Sequence, residues 1–264
     1  MSEPQDVTHD QPAARPPVLL DDAARPSFRE VLERLGGAQK GAARSAPAYS
    51  RFVNRRIGRV LAALAYRAGI SPNGVTGISA IFTFTAVGLL ALAPLEAWTG
   101  VAVAALLVVG YAFDSADGQV ARLTGTGSSA GEWLDHMVDA TKISALPLAL
   151  LVGLYRTDVA DPWLLVPLVS AVTGAVLFFG MILTEQMRRA HGVRSEAVTE
   201  GGASRLRALL VLPTDYGVLC LSFLLLGALE VFLVVYGLLT LATAGFLVLA
   251  AGKWYRELRT LSAR

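Results

Sequence analysis

The chain has 264 residues, of which 54% are hydrophobic and 17% charged, with a formal net charge of +2. Its mean hydropathy of +0.52 is well above that of ordinary soluble domains. The single cysteine, Cys220, excludes an intrachain disulfide or a cysteine-held metal and reads as a small core residue.

In chain order, residues 1–26 are rich in Pro, Ala, Asp and Arg and read as a disordered tail. Their polar, acidic start (Ser2, Glu3, Asp6, Asp10) carries no apolar signal segment. Ser27 and Glu30 are spaced as a capping box, and Phe28, Val31, Leu32 and Leu35 repeat at helical spacing. The pattern predicts a short helix near 28–35, stopped by Gly36-Gly37, that lies on the membrane, docks on the protein or hangs free. From Tyr49 to Ala68, Arg51, Arg55, Arg56, Arg59 and Arg67 alternate with Phe52, Val53, Ile57, Val60, Leu61 and Leu64. That is a basic amphipathic helix suited to the membrane interface.

Six long apolar runs follow and predict transmembrane helices at 75–93, 97–116, 133–155, 162–184, 211–229 and 231–252. Basic residues orient them. Eleven of the 23 Lys+Arg precede the first run, and Arg188, Arg189, Arg194, Arg205 and Arg207 lie between the fourth and fifth. Lys253, Arg256, Arg259 and Arg264 follow the sixth, and only Arg156 falls on the opposite side. Both termini, with the loop between the second and third runs, are therefore expected in the cytoplasm. Trp98, Trp133, Trp163 and Trp254 sit near span ends as interfacial anchors, and Glu185, Arg188 and Arg189 read as snorkelling or head-group contacts.

The informative feature is a set of carboxylates in this apolar setting. Asp114, Asp117, Gly118, Ala121 and Arg122 follow the i, i+3, i+4, i+7, i+8 rule and share one helical stripe. Gly131, Asp135 and Asp139 share another on the next helix. Carboxylates are costly in lipid, so four on facing helices point to a hard oxygen cage for Mg²⁺ or Mn²⁺. Gly118, Ala121 and Gly131 leave room for a bulky ligand, and Arg122 offers a forked cation to a phosphate oxygen. The loop 123–130 is rich in Gly and hydroxyls and suited to border a nucleotide. His136 points about 100° away from Asp135 on a helix and reads as packing.

The pattern D-x2-D-G-x2-A-R-x8-G-x3-D-x3-D, from Asp114 to Asp139, resembles without mismatch the signature of the CDP-alcohol phosphatidyltransferases. Ser71-Pro72-Asn73-Gly74-Val75-Thr76 is similar to that family's S/T-P-N-x-x-T segment. The resemblance implies an all-α integral membrane bundle of six transmembrane helices preceded by a cytoplasmic juxtamembrane amphipathic helix. It implies that Asp114, Asp117, Asp135 and Asp139 hold two divalent ions, with Asp139 also the general base. It further implies that Pro72, Asn73, Thr76, Gly118, Arg122, Ser128 and Gly131 contact the CDP moiety. The implied reaction moves a substituted phosphoryl group from a CDP-linked donor, usually CDP-diacylglycerol, to an alcohol, releasing CMP. A homodimer in a bacterial plasma membrane is the expected setting, with membrane lipids but no nucleic acid as partners. The expected division is a tail at 1–48, a membrane domain at 49–255 and a C-terminal tail at 256–264.

The acceptor is less legible. Lys142, one turn past Asp139, would bind an acceptor phosphate or offset the carboxylates. With Arg188, Arg189, Arg194 and Arg205 it suggests a phosphorylated polyol such as inositol phosphate or glycerol phosphate. Tyr49 to Arg56 is similar to the juxtamembrane helix of the inositol-phosphate-using branch. Ala140 departs from members that carry Arg directly after the fourth Asp. Two other classes compete. An aspartate-rich prenyltransferase would show two distant Asp motifs, whereas both pairs here sit on one hairpin. An ion or metabolite carrier would repeat its halves, and no second Asp stripe follows residue 139.

Overall fold

The computed structural model describes residues 26–42, 47–193 and 214–261. The predicted tail up to residue 25, Arg194, Arg205, Arg207, the first residues of the expected fifth span and residues 262–264 lie outside them. Among the described residues every regular element is helical. They are α1 (Phe28–Ala42), α2 (Arg55–Arg67), α3 (Pro72–Leu92), α4 (Ala97–Thr124), α5 (Ser129–Tyr155), α6 (Leu165–Ala190), α7 (Tyr216–Ser222) and α8 (Leu229–Leu261). A π turn at Ser50–Asn54 leads into α2, and 3₁₀ turns at Asp161–Leu164 and Phe223–Leu225 flank α6 and α7. Five helices are long and apolar enough to cross a membrane: α3, α4, α5, α6 with its 3₁₀ lead-in, and α8.

One expectation needs correction. Gly36-Gly37 does not stop the first helix, which runs to Ala42. Glycine weakens a helix interior by only about 1 kcal/mol, and α1 recovers more than that by docking: Val31 and Leu35 are buried against Ala62, Ala63 and Ala65 of α2. A Cβ at Gly36 would stand 3.1 Å from Nη1 of Arg59, the movable end of a long side chain. The capping box does form, with Ser27 N donating to Glu30 Oε2 at 2.8 Å and Glu30 N to Ser27 Oγ at 3.3 Å. Of the span expected at 211–229, the described residues begin at 214 and hold a short helix that tightens to 3₁₀ at Phe223.

Local chemistry explains the ends that matter for the site. Ser71 caps α3 by accepting from Gly74 N at 3.2 Å, with Pro72 at the position where no N–H is missed. The second span ends eight residues later than expected, because α4 carries the Asp stripe through to Thr124. It stops at Gly125, whose φ of 66° is the left-handed cap that favours glycine. Ser128 then caps α5 by accepting from Gly131 N at 3.1 Å.

The main core joins Leu90 of α3, Leu107 of α4, Leu146, Leu150 and Leu154 of α5, and Phe232 and Tyr236 of α8 around Phe223. Cys220 is fully buried there. α6 is largely unburied, with Val172 and Phe179 outward, as expected of a helix whose solvent is lipid. Asp215, 1% exposed, ties the ends together: it caps α7 at Gly217 N (3.0 Å) and accepts from Tyr49 N (2.8 Å) and Ser50 N (3.2 Å). Arg188 and Arg189 are not free to snorkel. Arg188 makes a bidentate pair with Glu257 of α8, both contacts at 2.6 Å, and Arg189 pairs with Glu132 of α5 at 2.7 Å.

Candidate active site

Three helix ends build the site: the start of α3, the last turns of α4 and the first turns of α5. Between them lies a cavity of about 620 Å³. Pro72, Asn73, Thr76, Gly118, Arg122, Ser128 and Gly131 all line it, together with Asp117 and Asp135. Every position named above as a nucleotide contact thus faces one space. Gly131 brings α5 close to the start of α3, since a Cβ there would be 3.2 Å from Asn73 Oδ1. Arg122 lies alongside Gly118, its guanidinium about 3.5 Å from where a Cβ would stand.

The carboxylates divide into two groups. Asp114, Asp135 and Asp139 each offer an oxygen, and these atoms lie within 4.8 Å of one another. Asp135 belongs both to this trio and to the cavity lining, so cluster and cavity are continuous. Asp117 is turned aside. It is 7% exposed, accepts from Thr76 Oγ1 at 2.7 Å through Oδ2, and from Gly118 N at 2.5 Å through Oδ1. A buried carboxylate needs such partners, and the i+41 contact to α3 supplies one.

Lys142, for which the sequence leaves two roles open, is 5% exposed and points at the trio. Its Nζ donates to Asp114 Oδ1 at 2.5 Å, Ser79 Oγ at 3.1 Å and Asp139 Oδ1 at 3.2 Å. The three ammonium protons are directed at the two carboxylates and a serine, which offsets the acids. Ser79 escaped the sequence reading. The signal was present: Thr76, Ser79 and Thr83 form a buried hydroxyl stripe at i, i+3, i+7 in an otherwise apolar helix. Ser79 Oγ in turn donates to Gly110 O at 2.9 Å, locking α3 to α4 at this level.

His136 packs edge-on against Phe178 (6.1 Å between centroids), with Nδ1 3.9 Å from Asp135 Oδ2 and Nε2 3.8 Å from Glu132 Oε1. A separate cavity of about 410 Å³ lies between α4, α5, α6, α7 and α8, lined mainly by apolar groups with Tyr111, Ser170, Thr173 and Tyr236 among them.

The donor set suits a hard divalent ion. Oxygen ligands of Mg²⁺ stand about 2.0–2.1 Å from it, so opposed ligands are about 4 Å apart. A trio already within 4.8 Å needs only small side-chain rotations to meet that geometry.

Comparison with known proteins agrees with this arrangement. Residues 69–251 match the model of a family described as CDP-alcohol phosphatidyltransferase. No curated protein sequence matches the chain. Eight chains of solved structures do. One is the crystal structure of Mycobacterium tuberculosis phosphatidylinositol phosphate synthase (PgsA1) with CDP-DAG bound. It is 22% identical, with a TM-score of 0.49, and the match covers 77% of this chain and 94% of that one.

Proposed function

The chain belongs to the CDP-alcohol phosphatidyltransferase family, and on that premise we propose that it is a divalent-metal-dependent enzyme transferring a substituted phosphoryl group from CDP-diacylglycerol to an alcohol, with release of CMP. One observation carries the reading. The seven expected nucleotide contacts line a single cavity that runs through Asp135 into a convergent carboxylate trio.

Asp114, Asp135 and Asp139 would hold the metal, with Asp117 released from Thr76 to join them. When bound, Mg²⁺ or Mn²⁺ supplies the positive charge that lets a pyrophosphate approach these acids and that stabilises the departing CMP. The chain's own groups do the rest. Arg122 takes a phosphate oxygen, and the Pro72–Asn73 corner and Ser128 border the cytidine. Asp139 accepts the proton of the acceptor hydroxyl as its oxygen bonds to the β-phosphorus. The bond from that phosphorus to the bridging oxygen breaks, and CMP leaves with the electron pair. Helical stripes hold donor and base in fixed register, so orientation contributes much of the rate.

The site faces the cytoplasm in this reading, with six crossings. The Arg188–Glu257 pair sets the C-terminal ends of α6 and α8 side by side. The chain between them must therefore cross back, and the apolar segment Tyr216–Leu225 belongs to that return. α2 serves as the juxtamembrane helix. It buries Gly58, Ala62 and Ala63 and, with Phe52 of the preceding π turn, leaves Ile57, Val60 and Leu64 exposed to lipid beside Arg56 and Arg67. The transferase unit is residues 49–255, with α1 docked upon it, and two chains pair as a homodimer.

The acceptor is an alcohol, with inositol phosphate and glycerol phosphate first in line. Arg188 pairs with Glu257 and Arg189 with Glu132 in this arrangement. The test is purified protein with Mn²⁺ or Mg²⁺ and CDP-diacylglycerol, screened against a panel of alcohols for CMP release. Folded protein that releases no CMP with any acceptor contradicts the proposal. The prenyltransferase and carrier readings gain nothing from the cavity or the family.

A further inference from the structure

We propose that Lys142 is a built-in cation of the carboxylate cluster, standing where a second divalent ion would bridge Asp114 and Asp139, so that each chain takes one divalent ion. The inference rests on the reading of the cluster as a divalent-metal site and deepens it by setting the number of ions.

Three observations carry it. The ammonium already sits between the two carboxylates, 2.5 Å from Asp114 Oδ1 and 3.2 Å from Asp139 Oδ1. A divalent ion shared by the same oxygens would stand about 2.0–2.2 Å from each and would overlap the nitrogen. The lysine is also anchored. Ser79 Oγ accepts from Nζ at 3.1 Å while donating its own proton to Gly110 O at 2.9 Å, so its lone pairs are turned toward the ammonium. Three helices thus hold Nζ from three directions: α3 through Ser79, α4 through Asp114 and α5 through Asp139. Finally, the side chain is buried, 5% exposed as a residue, and a lysine is retained in such a place only with its charge compensated. Like charges at this range repel strongly in a site removed from water, so the tethered cation and a second ion exclude each other.

The arrangement still leaves room for one ion. Lys142 engages one oxygen, Oδ1, of each carboxylate. Asp135, which no contact to Lys142 restrains, faces the nucleotide cavity together with Asp117. The single ion then sits on the cavity side and the lysine on the membrane side of the cluster. Lys142 is a positioning residue here: it orients Asp139 and sets the cluster's charge without touching substrate.

The full chain, purified in detergent, is titrated with Mn²⁺ with and without CMP. Bound ions are counted by equilibrium dialysis, and their spin coupling is read by electron paramagnetic resonance. One Mn²⁺ per chain with an uncoupled spectrum is expected for the natural protein and for Lys142→Arg. Lys142→Met is expected to take a second ion and give an exchange-coupled spectrum. Two coupled ions in the natural protein, or a single ion in folded Lys142→Met, overturn the inference. Should Lys142→Met not fold, the count in the natural protein decides alone. No bound Mn²⁺ in any form removes the metal reading itself, and this inference with it, an outcome distinct from two ions.

Discussion

Gly110 offers a test of how tightly the spacing of α3 and α4 sets the site. A Cβ built there would stand 2.5 Å from Thr83 Oγ1, 3.2 Å from Ser79 O and 3.3 Å from Thr83 N. The hydroxyl can rotate, though Thr83 is 2% exposed and its alternative rotamer meets packed neighbours. The two backbone atoms cannot yield separately, so Gly110→Ala must move α3 away from α4 by a few tenths of an ångström. Overpacking of this kind costs about 1–3 kcal/mol. The strain falls on the residues that orient the cluster, since Ser79 bridges Gly110 and Lys142. Misplacement by 1 Å can cost about 100-fold in rate, so a shift of a few tenths predicts a loss on the order of tenfold in kcat. The assays are thermal unfolding in detergent and CMP release at saturating donor. Adding Thr83→Ala should recover part of the stability, because it removes the closest clash and leaves the backbone contact. Gly110→Ala with unchanged stability and turnover would refute the claim that this helix contact fixes the site.

Other outcomes follow from individual groups. Asp139→Asn should lower turnover by about 100-fold or more while donor binding is largely kept, because the base is removed; donor affinity falling in step with turnover would mean a different role for Asp139. Arg122→Ala should weaken CMP binding roughly ten- to hundredfold through loss of a charge-assisted hydrogen bond, and equilibrium titration with an unchanged dissociation constant would contradict that contact. A chelator should abolish CMP release and Mg²⁺ or Mn²⁺ restore it, whereas full activity in chelator would exclude the metal.

Much of the site was legible because its residues lie on one hairpin at helical spacing. The stripe from Asp114 to Arg122 specifies its own register, so the structure had only to continue α4 through it, and Gly125 supplied the stop. The apolar windows likewise located all five long helices, though α4, α6 and α8 run eight, six and nine residues past the expected ends. What the sequence withheld are the contacts between elements distant in the chain. Nothing local to Arg188 announces Glu257, and nothing local to Lys142 announces Ser79, 63 residues away. Reading Arg188 and Arg189 as head-group contacts was the default for basic residues at a span end, and tertiary pairing displaced it. In α2 the large apolar residues drew attention, but the face that packs is the small one, Gly58, Ala62 and Ala63, because a close helix approach selects for missing side chains.

The depth of the cluster makes its counter-charges necessary. α4 spans 28 residues, about 42 Å at 1.5 Å per residue, close to the full bilayer with its head groups. Asp114 lies ten residues from its last residue, Thr124, hence about 15 Å below that helix end. That is deeper than the head-group layer, where water would screen a carboxylate, and within reach of a lipid's glycerol phosphate. A diphosphate drawn to this depth meets acids that would repel it unless cations stand between them. Arg122 lies nearer the C-terminal end of α4 and Lys142 one turn beyond Asp139 along α5, so the polypeptide supplies charge on both sides of the trio. On the proposed reading a divalent ion would then be needed only in the middle, a nucleotide would enter past Arg122, and the acyl chains would stay in the bilayer.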